Sequence, residues 1–324
     1  MKKVFKIILI VLTVIFVVVA GLLSYVKLAL PNVGEAPQLT VKSTPEIVAR
    51  GKYIATSVAV CMDCHSQRDW SLFAGPMVEG TEGQGGELFS REFGFPGNFY
   101  SKNITPYALN NWSDGELYRA ITMGVSKDGS ALFPVMPYHN YGQMADVDVH
   151  AIIAYLRTLK PMTSTIPVRE IDPPMNFIIN TMPHKNTPAA AIPAQGTLEY
   201  GQYILTMASC GDCHTQQVKG APVEGMEYAG GFEFKMPGYV VRSVNITPDA
   251  ETGIGNWSKQ QFVQRFKMYA DSSYKPHAIK QGEFNTVMPW NMYATMTEED
   301  LGAMYDYLKT LKPVSNKVER YTKN

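Results

Sequence analysis

Cysteine is scarce in this chain of 324 residues, and none of it is spare. All four cysteines fall in Cys61-Met62-Asp63-Cys64-His65 and Cys210-Gly211-Asp212-Cys213-His214. A disulfide framework is therefore excluded. So is a zinc finger, because neither motif has a second cysteine or histidine pair at finger spacing nearby. Net charge is missing too: Lys+Arg and Asp+Glu stand at 29 each, so nothing favours a nucleic-acid partner. The glycine-rich stretch 80–97 lacks the lysine and Ser/Thr of a phosphate-binding loop, and reads as irregular wrapping.

What is present is one pentapeptide pattern, twice. C-x-x-C-H is the attachment signature of c-type haem: the thiols add to the vinyl groups, and the histidine supplies an axial ligand to iron. Cys61, Cys64, Cys210 and Cys213 are thus the candidate cofactor-binding residues, with His65 and His214 as metal ligands and two covalently bound haem c as the expected cofactors. In bacteria this attachment takes place outside the cytoplasm.

The N-terminus agrees with that location. Met1–Lys6 carries three lysines, and residues 7–26 then run without a charge, long enough to span a bilayer as a helix. The lysines favour a cytoplasmic residue range 1–6, a single-pass anchor at 7–26 and haem domains in the periplasm. A cleaved signal peptide is the competing reading, but this apolar run is long for one and no A-x-A-like site ends it.

Residues 27–43 read as a tether. Domain 1 is expected over 44–161, a proline-rich connector over 162–195, domain 2 over 196–315 and a tail over 316–324. The connector either floats or packs through its apolar 175–179 segment. Within domain 1, Thr44 caps a helix with Pro45 in its first turn, leading into Cys61. Ser113 and Glu116 have capping-box spacing, and a final helix spans about 146–159. Domain 2 repeats this. Asn245-Ile246-Thr247-Pro248 answers Asn103-Ile104-Thr105-Pro106, and Asn256-Trp257-Ser258 answers Asn111-Trp112-Ser113. The expected fold class is all-α: two tandem cytochrome c-like domains after a transmembrane helix.

The repeat also selects the second axial ligand. Among 17 methionines, Met136 and Met288 occupy equivalent Val-Met-Pro positions, 71 (136 − 65) and 74 (288 − 214) residues after the proximal histidines. His/Met ligation raises the potential and suits electron transfer. His139, three residues from Met136, is the rival, but its equivalent is Asn291; His150, His184 and His277 are not repeated either. The sequons at Asn103, Asn111, Asn245 and Asn256 recur in register and read as structural. Trp112 and Trp257 are placed against a haem edge, within reach of a propionate, or simply in the core. Arg119 or Arg242 could serve the same carboxylates.

On these residues the chain resembles class I cytochromes c. More specifically, Asn245 to Asp249 with Thr252-Gly253-Ile254-Gly255-Asn256-Trp257-Ser258 resembles the cytochrome subunits of periplasmic alcohol- and gluconate-type dehydrogenases. The resemblance implies an α-helical fold, His/Met-ligated haem c and electron delivery toward respiratory oxidases. Such subunits usually carry three haem motifs and an anchor at the far end; here there are two motifs and an N-terminal anchor. A membrane-tethered electron relay follows, with no catalytic residue required and a periplasmic dehydrogenase, terminal oxidase or other cytochromes as partners. The competing class is a dihaem peroxidase, which needs one open haem and an acid–base residue; the duplicated Met-Pro motif argues against it.

Overall fold

The computed structural model describes residues 2–280 and 282–323. Helix α1 (Lys2–Leu28) has no buried residue and is long and apolar enough to cross a membrane. The first repeat opens with α2 (Pro45–Tyr53), capped by Thr44, whose hydroxyl accepts the Ile47 N–H. A π turn at Ile54–Val58 carries the chain into α3 (Cys61–Cys64). Its origin is legible in the register. Gly51-Lys52-Tyr53-Ile54 matches Gly201-Gln202-Tyr203-Ile204 at an offset of 150 (201 − 51), whereas the cysteines match at 149 (210 − 61). The first half holds one extra residue before its haem motif, and a wider turn absorbs it.

Strands β1 (Leu88–Phe89) and β2 (Gly97–Tyr100) form a hairpin. Then follow α4 (Pro106–Leu109), α5 (Asp114–Met123), α6 (Tyr138–Tyr141) and α7 (Asp146–Thr158). Strand β3 (Glu170–Ile171) returns to pair with β2. Next, α8 (Met175–Ile178) packs on α1, and Ile179 is buried with Phe99 and Ala131, so this apolar segment does not float.

The second repeat runs α9 (Leu198–Met207), α10 (Cys210–His214), a small β4 (Gln217–Val218) and β5 (Ala221–Pro222) hairpin, then β6 (Glu233–Met236) and β7 (Tyr239–Arg242). It ends with α11 (Lys259–Lys267), α12 (Trp290–Tyr293), α13 (Glu298–Leu308) and β8 (Tyr321–Lys323). Both expected capping boxes form, Ser113 with Glu116 and Ser258 with Gln261.

The expectation of an all-α chain is corrected. Helix accounts for 39% of residues and strand for 10%, in three small antiparallel sheets. The strands are two to four residues long. That is too short for an alternating pattern to show. Two of the sheets are themselves repeated: Gly97↔Ile171 and Asn98↔Glu170 answer Tyr239↔Lys323 and Val240↔Thr322. The repeated unit thus takes in β3, from the proline-rich stretch, and β8, from the C-terminal tail.

The halves share one core. Ile54, Met62, Ile152 and Ile153 belong to the same buried cluster as Ile204, Leu205, Met296 and Leu301. Across the interface Tyr53 donates to Asp300 Oδ2 (2.5 Å), and reciprocally Tyr203 donates to Asp148 Oδ2 (2.7 Å). The tyrosine oxygens in turn accept the N–H groups of Thr297 and Ala145, each at 3.1 Å. Asp148 and Asp300 are only 1% and 2% exposed, and each carboxylate has one further donor within its own repeat, Arg50 for Asp148 and Tyr200 for Asp300. Removing a hydrogen bond to a buried charge costs about 2 kcal/mol. Tyr203→Phe and Tyr53→Phe are each expected to lose that much in chemical denaturation of the holoprotein. A loss no larger than that of the exposed Tyr107→Phe would show that the pairs contribute nothing.

Candidate functional site

Each haem motif is a short helix entered through a left-handed residue, Val60 (φ 45°) before α3 and Ser209 (φ 54°) before α10. This sharp entry turns both thiols of a motif toward one cavity, which all four cysteines line. Cys213 is the most accessible of them, and burial in the motif pushes every one of the four thiols up to about 12.

The two histidines are oriented identically. His65 Nδ1–H donates to the Lys102 carbonyl (2.7 Å), and His214 Nδ1–H donates to that of Val244 (2.8 Å). With Nδ1 carrying the proton, Nε2 keeps its lone pair for a metal. Burial lowers both imidazole pKa values, which favours the neutral, ligating form. A glycine makes each carbonyl reachable. Gly85 N–H donates to His65 O and Gly230 N–H to His214 O, and both glycines have positive φ. A Cβ at Gly85 would lie 2.5 Å from Lys102 C, and one at Gly230 the same distance from Val244 C.

Met136 and Met288 line the same cavity as the histidines, and the four-residue helices α6 and α12 start just after their prolines. A buried tyrosine then ties each methionine segment to the approach of its own motif. Tyr141 donates to Ala59 O and Tyr293 to Ala208 O, both at 2.7 Å. Ala59 and Ala208 each precede the first cysteine by two residues, so one hydrogen bond sets the spacing between the proximal and distal walls. These tyrosines went unread in the sequence, although their offset of 152 (293 − 141) equals that of the methionines (288 − 136).

The cavity has a volume of about 1310 Å³, is continuous, and touches both motifs. Single small-molecule sites are usually about 300–1,000 Å³, so the space suits two bulky groups better than one. Its walls are mainly apolar, including Leu109, Ile152, Leu156, Ile254, Phe262 and Leu308. Cations stand at its edge, Lys102 and Arg169 beside the first motif's half and Arg242 and Arg320 beside the second's. Lys102 is held below its ordinary pKa by burial and by the Arg169 charge. An exposed lysine and a half-buried arginine close enough to interact match the carboxylates of a haem propionate edge. Apolar walls, paired thiols, a neutral imidazole, thioethers lining the same cavity and cations among its lining together fit haem c.

The remaining expected residues divide. Trp112 and Trp257 both line the cavity. Arg242 does as well, although Glu233 already pairs with it. Arg119 does not: its guanidinium donates to the Ser126 and Lys127 carbonyls. Asn103 and Asn245 are 5% and 4% exposed, and each accepts the N–H of the threonine two residues on, so these sequons are structural. Among the described residues no histidine besides His65 and His214 lines the cavity. His139 is instead held by Asp212 of the other repeat (3.1 Å), His150 lies against Tyr118, and His277 stacks on Phe73.

Residues 198–312 match the cytochrome c family. The cytochrome c subunit of alcohol dehydrogenase (quinone) from Gluconacetobacter polyoxogenes is 28% identical over 305 residues, covering 89% of this chain and 61% of the subunit. The fructose dehydrogenase cytochrome subunit of Gluconobacter japonicus is 28% identical, covering 82% of this chain and 52% of its own length. A diheme cytochrome c-type protein of Cereibacter sphaeroides is 27% identical, covering 85% of this chain and 91% of that protein. The chain thus spans little more than half the length of these dehydrogenase subunits. With its motif, its oriented histidine and this match, the stretch 198–312 is a cytochrome c domain, which implies covalently bound haem c, and over most of its length the chain is similar to the cytochrome subunits of dehydrogenases.

Proposed function

We propose that the chain binds two haem c groups, one per repeat, and relays electrons at the outer face of the bacterial cytoplasmic membrane. Cys61, Cys64, His65 and Met136 hold the first; Cys210, Cys213, His214 and Met288 hold the second. The observation that carries this reading is the repeated geometry. In both halves a motif thiol pair, an Nδ1-tethered histidine and a tyrosine-anchored Met-Pro segment face one cavity. Haem iron supplies a one-electron couple. The protein's part is to hold a thioether opposite each imidazole, to exclude water with apolar walls and to keep both sites in one rigid core.

The apolar helix α1 supports a membrane anchor with the haem domains on the periplasmic side. Similarity to dehydrogenase cytochrome subunits supports a dehydrogenase as electron donor, with a respiratory oxidase or another cytochrome as acceptor. The direct test is the optical spectrum of the purified chain, oxidised and reduced, with and without carbon monoxide. Two low-spin haems with methionine–iron absorption and no carbon monoxide binding are expected. One high-spin haem that takes carbon monoxide readily would sink the closed relay and call for a peroxide-turnover assay.

A further inference from the structure

The two sites differ in what holds the methionine segment. From the Ser113 cap to Met136 the chain runs 23 residues (136 − 113), but from the Ser258 cap to Met288 it runs 30 (288 − 258). The seven extra residues make the second approach longer and costlier to order. In the first repeat the approach is closed from within, for Phe133 stacks on Phe99 with ring centroids 4.3 Å apart. The residue equivalent to Phe133 at the methionine offset of 152 is Asn285, and it looks the other way.

Asn285 is 2% exposed, and its side chain is engaged by the first domain. Its Oδ1 accepts the Ala74 N–H (2.8 Å), and its Nδ2 donates to the Leu72 carbonyl (3.2 Å). The same Oδ1 accepts the Thr286 N–H (2.8 Å), and Thr286 Oγ1 accepts the Met288 N–H (3.1 Å). Two main-chain bonds between the domains flank this contact, Phe73 N–H to His277 O (2.9 Å) and Ile279 N–H to Ser71 O (2.7 Å). Phe73 stacks on His277 (5.0 Å) and reaches the cavity that Met288 lines. Tyr269, which also neighbours Phe73, stacks on Trp290, two residues beyond Met288.

We infer that Asn285 is a positioning residue for Met288, and that through it the Trp70–Gly75 loop of the first domain braces the distal side of the second haem site. The inference rests on the reading of Met288 as an axial ligand. Its unusual consequence is that Phe73, only eight residues beyond His65, governs the iron of the other repeat.

The experiment uses the full chain with both haems attached and imidazole as the competing ligand. Affinity is measured at each ferric haem, together with methionine–iron absorption and the two reduction potentials. Met136→Ala and Met288→Ala identify which signature belongs to which site. For Asn285→Ala, and independently for Phe73→Ala, imidazole should bind roughly tenfold to a hundredfold tighter, the usual effect of removing an outer-shell support. That gain should occur only at the haem that Met288→Ala opens, with a fall in that haem's potential alone. Unchanged affinity at both haems would overturn the inference, as would equal loosening of both or loosening only of the haem that Met136→Ala opens. If Met288→Ala itself opened neither haem, the failure would lie in the ligand assignment, and the inference would fall with it.

Discussion

Replacing both Cys61 and Cys64 by alanine is expected to halve the covalently bound haem and to leave the second repeat loaded. The argument is stoichiometric. The two thiols of a motif are the attachment points for one group, and the chain holds no other cysteine that could substitute. Val60 and α3 deliver these thiols, while Cys210 and Cys213 are delivered separately by α10, so attachment at the second motif keeps both of its own thiols. His65 remains tethered to the Lys102 carbonyl in the variant and can still hold haem by coordination. Denaturing conditions are therefore needed for the measurement, by intact-protein mass or haem staining of the unfolded chain. Two haem additions in the variant would contradict the attachment assignment. Loss of both would show that the sites load in sequence rather than independently.

Gly51→Ala should be the most destabilising single methyl in the first repeat. Helices α2 and α7 cross at this residue, and an added Cβ would lie 1.8 Å from the Ala151 carbonyl oxygen and 2.4 Å from its carbon. Backbone cannot step aside as a side chain can, so the helices must separate. Helix α7 carries Val149, Ile152 and Ile153 and α2 leads directly into Ile54, all nearly inaccessible, and separation opens the core that backs the cavity. A cost of about 3 kcal/mol is expected from overpacking at a backbone contact. Gly201→Ala should behave likewise, since its Cβ would meet the Ala303 oxygen at 2.2 Å. The control lies in α13: Gly302 also sits in a helix, but its Cβ would meet only the Lys259 side chain, at 3.4 Å. Gly302→Ala should be neutral or gain up to about 1 kcal/mol from helix propensity. Thermal unfolding of the three holoproteins settles it; comparable behaviour of Gly51→Ala and Gly302→Ala would remove the close crossing as a determinant.

The reasons some features were legible and others were not are physical. The thiols, the proximal histidines and the capping boxes are encoded within five contiguous residues, so their chemistry does not wait on the fold. The Met-Pro pair could be singled out because duplication lets one half be compared with the other. The strands escaped notice because pairs such as Leu88↔Tyr100 are held by backbone bonds that leave little trace in side-chain type. The choice between Arg119 and Arg242 was open in the sequence for a related reason: charge and position along the chain do not say which carbonyl a guanidinium will meet, and Arg119 meets those of Ser126 and Lys127.

By itself the sequence determined that this chain carries two haem-attachment motifs behind an apolar helix, because each is written in a short local stretch. Only the tertiary structure decided that the two repeats form one core, that tyrosines and aspartates lock them reciprocally, and that each methionine segment is spaced from its motif by a buried tyrosine. It also decided the asymmetry of the sites. Asn285 and Ala74 are 211 residues apart in the chain, and Tyr53 and Asp300 are 247 apart. No periodicity or motif links residues at such distances; they meet because burying the apolar faces of two repeats against each other brings their polar groups into a shared interior where each must be hydrogen-bonded.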